Sequence, residues 1–172
     1  MTHFYKIEVI KIKRYIKGIV IAKTSGEYLL DLILDTEINP VLLSSFVGAL
    51  SLFGKDNLGK IEEINVKGLD VDMIVVYKYN LILIAIISHE FTEDIRDEAE
   101  KALDMFYSSY VKELQNLECL NVAIFEEFKK VLYLQIQDYF EILKDKEKEN
   151  QIPDFGWFTE AIRKLRNGSQ KI

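Results

Sequence analysis

Apolar and polar positions alternate along this chain with two different periods, and the switches between them mark out its elements. Residues 17–24, KGIVIAKT, and 27–34, EYLLDLIL, are apolar at nearly every position and flank Ser25-Gly26. A short Ser-Gly loop between two such runs predicts a β-hairpin. Strands apolar on almost every residue predict a sheet covered on both faces. The preceding segment 4–16, FYKIEVIKIKRYI, is rich in β-branched residues and reads as extended.

Asn39-Pro40 then opens a helix, since Asn can accept from free backbone amides and Pro suits the first helical position. The helix is expected to end at Phe53, with Gly54 as its C-terminal glycine. Leu42, Leu43, Phe46, Val47, Leu50 and Phe53 form a large apolar stripe, expected to face the core. Ser44, Gly48 and Ser51 form a second, small stripe three and four residues apart. That small face either admits a partner helix or lets the helix lie flat on its own sheet.

Residues 58–90, LGKIEEINVKGLDVDMIVVYKYNLILIAIISHE, predict three consecutive strands. Ile61, Ile64 and Val66 mark the first, Met73–Tyr77 the second and Leu81–Ile87 the third, with a turn at Tyr79-Asn80. The first is the most polar, so Ile61–Lys67 is the expected exposed edge. Helical periodicity follows, through Phe91, Ile95, Ala99, Leu103, Phe106, Tyr110 and Leu114. A third helix carries Phe125, Phe128, Leu132, Ile136, Phe140 and Leu143. Residues 144–154, KDKEKENQIPD, read as a charged linker, and 155–166 as a short amphipathic helix with Trp157 and Phe158. The expected division is therefore 1–143 for one domain and 144–172 for the linker and last helix.

Composition narrows the functional classes. The chain has 172 residues and a net charge of −6, which argues against general nucleic-acid binding because phosphates need a basic face. No apolar run approaches the roughly 18 residues of a membrane span, which leaves at most peripheral membrane contact through 155–166. One cysteine, Cys119, can form neither an internal disulfide nor a zinc site, which points to a cytoplasmic protein. Glu90, Glu93, Asp94, Asp97 and Glu98 lack the glycine and spacing of a calcium loop and suit a helix start instead. His89 has no nucleophile in a recognisable context, and the glycines form no phosphate-cradling loop. No catalytic, metal or cofactor site is expected.

The order strand, strand, helix, strand, strand, strand, helix, helix resembles the roadblock/longin group of domains. The resemblance rests on GIVIAKTSGEYLLDLIL (18–34), PVLLSSFVGALSLFG (40–54), the meander 58–88 and the helix from Phe91. It covers roughly residues 15–115, and the later helix NVAIFEEFKKVLYL is the more longin-like part. It implies an α+β fold: a five-stranded antiparallel sheet with helices on both faces. It also implies a non-catalytic interaction module, a homodimer or a heterodimer with a related subunit, serving a small GTPase or a trafficking-like complex. Pairing in such domains joins the helix between strands two and three, and the sheet edges. Carried onto this chain, that implicates Ser44, Gly48, Ser51, Ile61, Glu63 and Asn65, to which Trp157 and Phe158, which either pack back on the chain or dock onto a partner, are added. The alternative is a small-molecule sensor with a pocket between sheet and helices.

Overall fold

The structure, a computed structural model, describes residues 12–35, 37–59, 61–68, 70–91, 93–115 and 121–150. Residues through Gln137 form one compact unit, and those from Asp138 a second. The first unit holds a five-stranded antiparallel sheet of β1 (Ile16–Lys23), β2 (Tyr28–Ile33), β3 (Glu63–Lys67), β4 (Val71–Lys78) and β5 (Leu81–Ser88). The spatial order is β2-β1-β5-β4-β3, so the hairpin and the meander meet along β1 and β5 at the centre. β5 is buried at all eight residues, as its unbroken apolar run requires.

A helical turn at residues 12–15, α1, leads directly into β1. The extended reading of this segment fails there. Ile12 is buried while its neighbours are charged, and packing of that one side chain overrides β-branched propensity. The remaining helices are α2 (Pro40–Asn57), α3 (Arg96–Gln115) and α4 (Phe128–Asn150), with a 3-10 turn at Val122–Phe125 before α4. Asn39 caps α2 as expected, its side chain accepting from the Leu42 N–H at 3.0 Å.

Three further boundaries differ from the sequence reading. α2 runs one turn past Gly54, which is buried inside the helix. A Cβ on Gly54 would collide with the Ile61 side chain, so that glycine serves packing rather than termination. α3 starts at Arg96, five residues beyond Phe91, although Phe91 and Ile95 are buried ahead of it. The charged stretch from Lys144 is helical as far as Asn150, because glutamate and lysine are good helix formers.

Two pairs of contacts separate the sheet's faces. Tyr77 reaches Ser51 of α2, while its neighbour Lys78 reaches Asp104 of α3. Successive strand residues point to opposite faces, so α2 covers one side and α3 the other. On the α2 side Val20, Ala22, Val75, Ile82, Ile84 and Ile86 pack with Val47. Phe106, Leu103, Phe125, Phe128 and Leu132 are buried on α3, the 3-10 turn and the first part of α4. The Phe106 ring lies 5.2 Å from Phe125 and 5.1 Å from Phe128, centroid to centroid. Such ring pairs add about 0.5–1.5 kcal/mol beyond their area.

Candidate interaction site

The geometry of α2 comes from one close approach. Gly26, at the hairpin turn, has φ +90°, and its neighbours across the gap are the backbones of Ser44, Ser45 and Gly48. A Cβ built on Gly48 would lie 2.3 Å from the Gly26 Cα and 2.5 Å from its nitrogen. The helix therefore meets the turn backbone to backbone, and only small residues fit between them. Ser44 and Gly48 are buried there. Ser44 can be buried because its hydroxyl donates to the Val41 carbonyl at 2.9 Å. Ser51, half-buried, donates to the Val47 carbonyl at 2.8 Å and so accepts from the Tyr77 hydroxyl at 2.9 Å. Burial pushes the Tyr77 phenol above its ordinary value, keeping it a donor.

This orientation corrects the expectation about α2. The small stripe faces the chain's own sheet, so Ser44 and Gly48 cannot meet a second helix. Much of the large stripe points outward instead: Leu42 is 69 % exposed, Phe46 53 % and Phe53 61 %. With Ala49 they follow i, i+4, i+7, i+11 spacing, a single continuous apolar line, flanked by exposed Val41 and Leu52. These are the site residues that the stripe count missed. The available signal was charge: residues 40–54 contain none, so no polar face was on offer for solvent.

At its C-terminal end α2 approaches β3. Leu50, Phe53, Gly54, Leu58, Ile61 and Ile64 line most of a groove of about 680 Å³ between the helix and the sheet edge. A second groove of about 700 Å³ adjoins it, with Ser51, Lys55, Tyr77 and Tyr79 on its walls. Both share half-buried Ile61. They sit at the helix end, whereas the layer between α2 and the central strands is filled by Val47 and its aliphatic neighbours.

β3 is an edge strand, hydrogen-bonded to β4 alone among the described strands. Glu63 is half-buried and its carboxylate takes an ion pair from Arg96 at 3.0 Å. Asn65 is exposed, and its amide donates to the other Glu63 carboxylate oxygen. Val66 and Lys67 are exposed as well. Ile61 and Glu63 thus line the groove at the end of α2, and Asn65 follows on the same edge strand. Trp157 and Phe158 lie outside the described residues.

The candidate catalytic and metal residues are dispersed. His89 Nδ1 lies 3.1 Å from Asp72 Oδ1 at the end of β5, and the histidine holds the Asp72 carboxyl below its ordinary value. Glu90 pairs with Arg14 at 2.8 Å, and Glu98 with Lys101 at 2.6 Å. Among the described residues no group of three His, Cys, Asp or Glu is placed to hold a metal ion. No helix among them is long and apolar enough to cross a membrane.

No protein-family model matches the chain, and no curated protein matches it in sequence. Solved structures similar to it include a Roadblock/LC7 domain from Streptomyces avermitilis, 12% identical, TM-score 0.47, covering 59% of this chain and 91% of that one. Myxococcus xanthus MglB is 13% identical with TM-score 0.49, covering 60% and 89%. The gliding protein MglB of Thermus thermophilus is 11% identical with TM-score 0.44, covering 55% and 79%. Similarity at this level leaves function to the chain's own geometry. That geometry is an α+β arrangement of five antiparallel strands between α2 on one face and α3 on the other, in the order read from the sequence.

Proposed function

We propose that this chain is a non-catalytic protein-interaction module that pairs with a second copy through α2 and β3 and presents the joined surface to a small GTPase. One observation carries the pairing: the outward face of α2 is a line of large apolar side chains that ends beside an open sheet edge. Fully burying a leucine or phenylalanine contributes roughly 1.5–3 kcal/mol. Leu42, Phe46 and Phe53 are therefore costly to leave in water, which favours association through this face. An open edge likewise favours a partner, and here both features lie at the same corner. The small GTPase is the partner that the roadblock/longin resemblance implies. The sensor alternative is less favoured, because the two grooves described above lie outside the layer that the described residues fill between sheet and α2.

Sedimentation equilibrium tests the pairing. The wild-type chain should weigh as a dimer at micromolar concentration. Phe46→Glu, which places two charges in a symmetric contact, should dissociate at least a hundredfold more readily while keeping its circular dichroism. A wild-type chain that stays monomeric at high concentration refutes the pairing. For the partner, small GTPases loaded with GDP or a GTP analogue should bind the wild-type chain with different affinities. Equal or absent binding across the panel removes the GTPase from the proposal and leaves the dimer standing.

A further inference from the structure

The end of α4 carries a burial that its own helix cannot supply. From Asp138 to Asn150 the helix belongs to the second compact unit. Phe140 on this stretch is only 5 % exposed and Leu143 is half-buried, while Glu141 and Ile142 between them are exposed. One side of the helix end is therefore covered and the other is open. A fully buried side chain touches roughly 6–12 other residues, more than the neighbouring turns of one helix provide. A second element must lie along the Phe140 side. The same compact unit contains one more stretch of chain, residues 151–172.

The sequence of that stretch suits the task. Phe158, Ala161, Ile162 and Leu165 follow i, i+3, i+4, i+7 spacing, with Phe155 and Trp157 at the margins of the same side. Glu160, Arg163, Lys164 and Arg166 fall on the opposite side. Pro153 stops α4, because the residue before a proline is disfavoured in helical backbone. Asp154 then suits the capping position of a new helix. Residues 151–154 are left as the connection, and roughly 2–8 residues commonly join two packed helices.

We propose that residues 155–166 form a helix folded back antiparallel on the end of α4, with Ile162 against Leu143 and Leu165 against Phe140. Counted from a turn centred on Ile152-Pro153, Leu143 and Ile162 are equally far along the chain, and so are Phe140 and Leu165. The fold-back gives Trp157 and Phe158 a place on the chain itself. Their side of the segment is then enclosed, so it is neither a membrane anchor nor a hook for a partner, and the basic side is left to solvent. The inference is independent of pairing through α2 and β3.

Cysteine pairs in the full chain test it, in a Cys119→Ser background and at a concentration where sedimentation shows monomers. Packed helices have axes roughly 8–10 Å apart, which brings facing Cα atoms within the roughly 4.4–6.8 Å of a disulfide. Under mild oxidation Leu143→Cys with Ile162→Cys should close a bond within the chain in most molecules. Ile142→Cys with Ile162→Cys should close at least about tenfold less, because adjacent helix positions point about 100° apart. Trp157 is the only tryptophan and reports separately on the intact chain. Its emission should lie blue of tryptophan in water, shift red in Ile162→Glu, and stay unchanged when vesicles of anionic phospholipid are added. Equal linking of the two cysteine pairs, no linking, or links only between chains overturns the fold-back. So does wild-type emission like that of free tryptophan, or a blue shift that appears only with vesicles. None of these results bears on whether two copies pair through α2 and β3.

Discussion

Gly48→Ala isolates the contact that orients α2. The added methyl carbon would stand 2.3 Å from the Gly26 Cα, 2.5 Å from its nitrogen and 2.8 Å from the Ser25 carbonyl carbon. Ordinary contact begins near 3.4 Å, so helix and turn must separate by about 1 Å. Both sides are backbone, and neither can rotate away. The Gly26 N–H is also tied to the Lys23 carbonyl at 2.8 Å, and the turn moves only if that bond is strained. Overpacking of this kind costs about 1–3 kcal/mol, and a backbone clash on both sides belongs at the upper end. Against it stands the helix preference of alanine over glycine, about 1 kcal/mol. The clash wins, and a net loss of about 2 kcal/mol is expected. Urea unfolding followed by circular dichroism, at one fixed chain concentration, measures it as a lowered midpoint with an unchanged slope. Ala49→Gly, on the exposed side of the same turn, supplies the yardstick when both variants are compared at a concentration where the chain is monomeric: it should lose about 1 kcal/mol from propensity alone. A Gly48→Ala chain as stable as wild type, or more stable, would falsify the close approach and with it the outward placement of Phe46.

Other consequences are smaller and independent. Tyr79 and Asn80 both have positive φ, at 57° and 59°, as a two-residue hairpin turn between β4 and β5 demands. Asn80→Ala should therefore cost about 1 kcal/mol in thermal unfolding, and Asn80→Gly almost nothing. Ser51→Ala and Tyr77→Phe each remove one side of a 2.9 Å hydrogen bond. Each should cost about 1 kcal/mol and the double variant less than the sum, because the pair shares one interaction. Hydrogen bonds from Lys78 and then Tyr79 hold the Asp104 carboxyl below its ordinary value. A depressed carboxyl stabilises the fold above the ordinary aspartate range, and the contribution fades as pH falls through the lowered value. Asp104→Asn should thus melt below wild type at pH 7, with the two melting temperatures converging in strong acid.

Much of the fold was legible because it rests on local pattern. The hairpin around Ser25-Gly26, the Asn39-Pro40 start and the turn at Tyr79-Asn80 each depend on residues adjacent in sequence, and each stands where the pattern puts it. β3 was readable as an edge because its residues are more polar than those of β5. The face of α2 was not readable by counting large side chains. What turns the helix is Gly26, more than twenty residues away, whose bare backbone accepts Gly48 and excludes anything larger. The same long-range cause hides the end of α2, since Gly54 makes room for Ile61 across a loop. At residues 12–15 β-branched content pointed to a strand, yet a helical turn buries Ile12. The candidate site was half visible for these reasons. Polarity marks the strand that carries Glu63 and Asn65 as an edge, which it is, while the size of Leu42, Phe46 and Phe53 points them to the core and the structure exposes them.

The most direct test of the account is residue-resolved amide hydrogen exchange of β3 at low and high chain concentration. In a single chain the amides of residues 64 and 66 are bonded to β4, while those of Glu63, Asn65 and Lys67 face outward. Pairing of two copies along this edge predicts that the outward amides exchange freely in dilute solution and become protected as concentration rises, with residues 64 and 66 protected throughout. Free exchange of Glu63, Asn65 and Lys67 at every concentration would contradict it.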